Sequence, residues 1–173
     1  MARVSQTKIL TFAGVMAALS NILSIEPLAI PIMIGPFSSR VHFSQVPIFI
    51  GSILAGPWAG LLTGAIGGLF MSYSAGIPFI VGGLAILGFS AGLFAKKAKL
   101  RPLFSSVLAW CVQAPYVFVT DYIWFVFSGL MPPSAALAVV TTILVKLTVE
   151  AVVASILAEI LIHYIKRTGL VFQ

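Results

Sequence analysis

The sequence predicts an all-α membrane protein of six transmembrane helices, with both termini on the cytoplasmic side. Three observations predict it. Of 173 residues, 60% are hydrophobic and 8% are charged, with a mean hydropathy of +1.13; a soluble domain carries about 25% charged residues. The apolar residues run in stretches long enough to cross a bilayer. Eight of the ten cations fall into three clusters, Arg3 with Lys8, then Lys96, Lys97, Lys99 and Arg101, then Lys166 with Arg167. Each cluster flanks an apolar stretch, where the positive-inside bias is found. The chain has about one domain's length, so residues 1–173 are expected to form one multi-pass unit in the cell membrane. The pI of about 9.8 does not indicate nucleic acid, because those cations mark topology. The single Cys111 excludes an internal disulfide and matches no metal-ligand spacing.

The first span is read from Lys8 to Ser24. Its basic start and small residues near Ala18 resemble a signal peptide, but the charge argument below needs the segment retained. A Pro-rich loop follows, with Pro27, Pro31 and Gly35-Pro36, and then Ser38-Ser39-Arg40. The apolar stretch from Phe43 to Tyr73 is interrupted at Gly56-Pro57. Read as one kinked span it gives five crossings and puts the N-terminal and Lys96–Arg101 clusters on opposite faces. Read as two short spans it gives six, and all three clusters share a face. The charges therefore select six. The remaining spans are Ile77 to Ala95, Leu103 to Phe127 and, after the turn at Pro132-Pro133, Ala135 to Ile165. Short, Gly/Pro-interrupted spans are a pointer to a transport site.

Small residues recur four apart: Ala13/Ala17, Gly14/Ala18, Gly60/Gly64/Gly68 and Gly88/Gly92. This spacing lets helix backbones approach closely. Packing within the chain accounts for the glycines; for Ala13 and Ala17 a face toward another protein is an equal reading.

Polar residues at membrane depth need a reason. On the fifth span Trp110, Gln113, Tyr116, Thr120, Asp121 and Trp124 fall on one broad face, and on the sixth Thr142, Lys146 and Glu150 form a stripe at i, i+4, i+8. At about 1.5 Å per residue, Lys146 lies roughly 16 Å from the outer end of its helix and Asp121 roughly 9 Å from the outer end of its own. The two stripes are expected to face each other across an outward-opening cavity, suited by its aromatic planes to a flat organic ligand. A Lys146–Glu150 pair that only neutralises itself is the plainer reading. Arg40 and His42, in the first outer loop, either close over the ligand or sit in water. Glu159 is placed at the inner interface.

Gly88-Phe89-Ser90-Ala91-Gly92 matches G-x-S-x-G, but a hydrolase needs that motif on a strand–turn–helix elbow, and here it sits in an apolar helix. With His163 it allows an intramembrane serine protease only as a remote reading. No phosphate-binding G-x-x-x-x-G-K-[ST] occurs. No enzymatic activity, cofactor or metal is expected.

The segments Ala13-Gly14-Val15-Met16-Ala17, Val41-His42-Phe43-Ser44-Gln45-Val46-Pro47 and Leu54-Ala55-Gly56-Pro57-Trp58-Ala59-Gly60, in this order on six short spans, resemble an S component of an energy-coupling factor (ECF) transporter. The resemblance covers essentially the whole chain. It implies a high-affinity binding subunit for a vitamin or precursor. The implied partners are a transmembrane T component and two cytoplasmic ATPases. It also implies a site built from spans four to six and outer loops one, three and five, and a T-component surface marked by Ala13 and Ala17. The candidate ligand-binding residues are Arg40, His42, Gln113, Tyr116, Thr120, Asp121, Trp124, Lys146 and Glu150. Riboflavin, thiamine or its pyrimidine precursor, pantothenate and folate all remain open as ligands. The competing reading is a stand-alone transporter that moves protons through Asp121, Lys146 and Glu150.

Overall fold

The structure, a computed structural model, describes residues 6–34 and 37–168. Arg3 and the Gly35-Pro36 pair lie outside the described residues. The elements in chain order are α1 (Gln6–Ile22), β1 (Ile30–Ile34), β2 (Phe37–Val41), α2 (Gln45–Ala55), α3 (Pro57–Gly67), α4 (Leu69–Ala75), α5 (Ile80–Lys96), α6 (Pro102–Phe127) and α7 (Pro133–Arg167).

The stretch from Phe43 to Tyr73 divides at Gly56-Pro57, as the charge argument required. Gly56 takes φ +102°, a left-handed conformation that favours glycine, and Pro57 opens the next helix, where its missing N–H costs nothing. A second break at Gly68 separates α3 from α4. Asn21 of α1 repairs it: its Nδ2 donates to the Ile66 carbonyl over 2.9 Å and its Oδ1 accepts from the Phe70 N–H over 2.9 Å. With α3 and α4 taken as one interrupted crossing, the chain has six.

The first outer loop differs from its expectation. Instead of an irregular Pro-rich connection, β1 and β2 form an antiparallel hairpin with Ile30 opposite Val41 and Pro31 opposite Arg40. Ile30, Ile32 and Ile34 alternate along β1 and favour a pleated backbone. Pro31 is tolerated because a two-stranded ribbon consists of edges, where a missing donor is harmless.

The centre of the bundle is the α3–α5 contact. A Cβ on Gly60 would overlap the Gly88 carbonyl oxygen, and one on Gly64 the Leu84 carbonyl oxygen. The two backbones therefore touch, as the glycine spacing predicted. The same contact disposes of G-x-S-x-G, which runs through the middle of α5 with Gly88 against Gly60 and Gly92 against Pro57. The buried core around it joins Ile48, Phe49, Leu87, Trp110 and Ala154. The opposite faces stay apolar and exposed, as along α7 at Val145, Val149, Ile156 and Ile160. A ridge of that spacing on a 35-residue helix is turned to lipid, since about 20 residues already span a bilayer core.

The basic Lys96–Arg101 segment and the end of α7 lie together. Arg101 Nη2 meets Glu159 Oε1 at 2.9 Å, and Glu159 Oε2 accepts from the Leu103 N–H at 2.6 Å. Glu159 thus serves one of the N–H groups that the first turn of α6 leaves unpaired. The hairpin sits at the other end, beside the end of α4, where Arg40 Nη1 donates to Ser74 Oγ over 2.8 Å.

Ala13 and Ala17 are 3% and 0% exposed and face inward onto α3, where Thr63 Oγ1 donates to the Ala13 carbonyl over 3.3 Å. The outward face of this turn carries Gly14 and Ala18 instead. The two small-residue pairs lie one position apart, about 100° around the helix, so only one of them can face out.

Candidate ligand-binding site

At the hairpin end, a cavity of about 350 Å³ opens between the hairpin, α4, α5, α6 and α7. From α6, Trp110, Gln113, Val117, Thr120, Asp121 and Phe125 reach it, a stripe at i+3/i+4 spacing. From α7 come Val139, Ile143, Lys146 and Leu147. The loop before α5 supplies Phe79, and Arg40, His42 and Gln45 come from the hairpin side.

Six of the nine candidate residues, Arg40, His42, Gln113, Thr120, Asp121 and Lys146, therefore line one cavity. Tyr116, Trp124 and Glu150 stand beside it. Tyr116 lies over Gly82 and Gly83 of α5, and its hydroxyl donates to the Phe79 carbonyl over 3.4 Å. Trp124 meets Phe79 edge to face at 6.0 Å between ring centroids. Both sit eight residues apart on the flank of α6 that faces α5, one position out of phase with Val117 and Phe125. Thr142, from the predicted α7 stripe, turns outward and bonds its own helix at the Ala138 carbonyl.

Glu150 is buried behind the cavity wall. Its Oε1 receives Lys146 Nζ at 3.2 Å and the His42 backbone N–H at 2.9 Å, while Oε2 has no hydrogen-bond partner. The pair is thus more than self-neutralising, because it also fixes the loop that closes the cavity. Burial, reinforced by the nearby Lys146 charge, lowers the His42 pKa to about 3. The imidazole is neutral, and its Nδ1 lies 2.9 Å from Ser44 Oγ. Ser44 in turn accepts at its carbonyl from Ser20 Oγ over 3.0 Å, which ties the loop to α1.

Several groups are already engaged. Trp110 Nε1 donates to Thr148 Oγ1 over 3.1 Å, so the indole offers the cavity its ring and not its N–H. Thr120 Oγ1 donates to the Tyr116 carbonyl over 2.8 Å. Arg40 Nε pairs with Glu26 at 3.3 Å at the mouth. Gln45 and Gln113 each keep a buried Oε1 with no partner. Asp121, 6% exposed, carries no hydrogen bond or ion pair among the described residues. Sequence reasoning missed Gln45 and Phe79. Gln45 had a signal, being an amide at the head of the apolar run that begins at Val46; Phe79 had none among thirteen phenylalanines. Among the described residues no group of three or more His, Cys, Asp or Glu is placed to hold a metal ion.

The sequence model of the ECF-type riboflavin transporter S component matches residues 4–167. The chain belongs to that family. It is an S component, the membrane-embedded substrate-binding subunit of an ECF-type vitamin importer. Among curated proteins none matches. A solved structure similar to this S component is the 2.1 Å crystal structure of the S component for biotin from an ECF-type ABC transporter, with 20% identity, full coverage of both chains and a TM-score of 0.69. At that identity the likeness speaks for the fold alone. It agrees with an all-α fold of six crossings.

Proposed function

We propose that the cavity at the hairpin end is the vitamin site, and that it takes a flat ring system with a polar edge. The observation that carries this reading is the lining itself. Trp110, Phe79 and Phe125 supply apolar planes, while Gln113, Asp121 and Lys146 converge from two helices as polar groups. An enclosure of this size and composition suits one small organic molecule. Riboflavin, named in the family's description, is the first ligand to test. Its dimethylbenzene side matches the aromatic wall, and its imide edge and ribityl hydroxyls match the amide and carboxylate. The hairpin, anchored by His42 and Arg40, is the roof.

In this reading the Lys96–Arg101 loop and both termini face the cytoplasm, as the cation clusters favour. A T component and two ATPases supply the work that releases a tightly held ligand. The T component meets the exposed α1 face at Gly14 and Ala18, since the Ala13 and Ala17 side chains are covered by α3. Titration of the purified protein with riboflavin, followed by quenching of flavin fluorescence, tests the site. Tight one-to-one binding that Ile143→Trp abolishes is the expected result. Tight binding that ignores this cavity-filling ring places the site elsewhere.

A further inference from the structure

The charges around the cavity do not cancel. Lys146 is matched by Glu150 at 3.2 Å, and Arg40 by Glu26 at 3.3 Å. His42 is neutral. That leaves Asp121, which is 6% exposed, lines the cavity and has no partner among the described residues. Its neighbours do not serve it, because the Thr120 hydroxyl is spent on the Tyr116 carbonyl and the Trp110 N–H on Thr148.

A buried carboxylate without donors is costly, and the cost is relieved by whatever brings donors to it. Here the open side of Asp121 is the cavity. We infer that Asp121 sets the charge class of the ligand: the cavity takes a ring compound offering N–H or O–H donors or a positive charge, and rejects one carrying a carboxylate. The inference rests on the cavity being the vitamin site.

Lys146 does not reverse this. Its ammonium keeps N–H donors beyond the one that meets Glu150, but its charge is already balanced by that carboxylate at 3.2 Å. A ligand carboxylate would draw it away from Glu150, whose Oε2 is already buried without a partner, and breaking a buried pair is strongly unfavourable. Arg40 is likewise committed, to Glu26 and to Ser74. A carboxylate ligand would therefore bring a like charge into about 350 Å³ beside Asp121, with no cation lining the cavity, among the described residues, whose charge is not already matched. Repulsion at such range is strong where water is scarce. The fold shared with the S component for biotin, a carboxylate vitamin, does not extend to a shared charge class.

The test uses the full chain in lipid nanodiscs, titrated with riboflavin, thiamine, biotin and pantothenate. The first two lack a carboxylate and the last two carry one. The tightest ligand is expected to be riboflavin or thiamine, at least 100-fold tighter than either acid. Asp121→Asn, close in shape and folded by its size-exclusion profile and helical circular dichroism, should weaken that ligand ten-fold or more and narrow the ratio below ten-fold. Biotin or pantothenate binding as tightly as the best carboxylate-free ligand overturns the inference. If Ile143→Trp abolishes binding but Asp121→Asn leaves the affinity within two-fold, the charge assignment falls while the cavity stands. A tight ligand indifferent to both substitutions removes the cavity reading itself, and the charge assignment with it.

Discussion

The backbone N–H of His42 donates to Glu150 Oε1 over 2.9 Å, joining positions 108 residues apart. The oxygen that holds the hairpin loop is also the one that holds Lys146, at 3.2 Å. A cavity-lining cation and the roof are thus anchored to one atom. Glu150→Gln keeps an acceptor for the His42 N–H and loses the charge that Lys146 needs. Glu150→Leu loses both. Hydrogen–deuterium exchange of peptides covering residues 37–44 should stay near wild type in the Gln variant and rise ten-fold or more in the Leu variant, a loss of about 1–3 kcal/mol of local protection. Peptides from α3 and α5 should not change in either. Equal exchange at residues 37–44 in wild type and Glu150→Leu would show that Glu150 does not fasten the loop.

Lys146→Ala removes a cavity donor and leaves Glu150 buried with a single N–H. Two losses are mixed in that variant. Lys146→Met with Glu150→Gln removes both charges together and keeps the stem's volume. Breaking one member of a buried pair costs about 3–5 kcal/mol, whereas replacing the pair is often neutral. The double variant should therefore melt within a few degrees of wild type, and the single variants well below it. Riboflavin affinity should fall about ten-fold or more in every variant that lacks Lys146, by the worth of one charged hydrogen bond. A double variant no more stable than Lys146→Ala would remove the view that the pair is energetically coupled.

The His42 environment fixes the sign of a pH effect. The imidazole has its ordinary pKa of 6.5 when unfolded and about 3 when folded. Between these values the unfolded chain binds the extra proton, so stability falls as pH drops below about 6.5. Above that pH the His42 contribution is complete. Thermal unfolding at pH 7.5 and pH 5.0 should show a larger loss in wild type than in His42→Gln, which cannot titrate. Identical pH dependence in the two proteins would show that His42 is not held neutral by burial.

Much of this fold could be read directly from composition and charge. The cation clusters decided between five and six crossings, and the Gly56-Pro57 corner and the Gly60/Gly64/Gly88 contact lie where the spacing put them. The hairpin was missed because its prolines dominated the reading, although Ile30, Ile32 and Ile34 alternate beside them. The cavity was legible as two polar stripes, since polar residues at membrane depth are rare. Its edges were not. A rotation of one residue, about 100°, separates Tyr116 from Val117 and Ala13 from Gly14, and helical period alone cannot choose between neighbours when both are apolar or small. The role of Glu150 was illegible for another reason: its partner is a backbone N–H, which every residue has.

Gly60 tests the bundle's centre. A methyl there would overlap the Gly88 carbonyl, a backbone atom that cannot move aside without shifting α5. Gly60→Ala should lower the melting temperature sharply and weaken ligand binding, since Phe79 and Gly83 are carried to the cavity at the start of α5. Overpacking of this kind costs about 1–3 kcal/mol and more where backbone must shift. Gly76→Ala, strained by φ +66° but with open space around its Cβ position, should cost only its conformational penalty, roughly 1 kcal/mol. Equal melting temperatures for Gly60→Ala and wild type would contradict the close α3–α5 approach.

The exposed and buried faces of α1 should separate folding from partnership. A Cβ on Gly14 meets nothing within 4 Å, so Gly14→Trp is accommodated by the isolated S component, and its ligand affinity should stay within two-fold of wild type. Ala13 is 3% exposed and sits over Thr63. Ala13→Trp must therefore displace α3 or unpack α1, lowering stability by several kcal/mol. If the α1 face is where the T component approaches, the close contact that small residues permit is lost in Gly14→Trp, and the variant should bind vitamin but fail to co-purify with the T component and ATPases. Vitamin accumulation in cells should then drop to the level of cells lacking those partners. Gly14→Trp and Ala18→Trp proteins that still assemble and accumulate vitamin normally would move the docking surface off α1. An Ala13→Trp protein as stable as wild type would overturn the inward placement of Ala13 and restore its side chain as the contact.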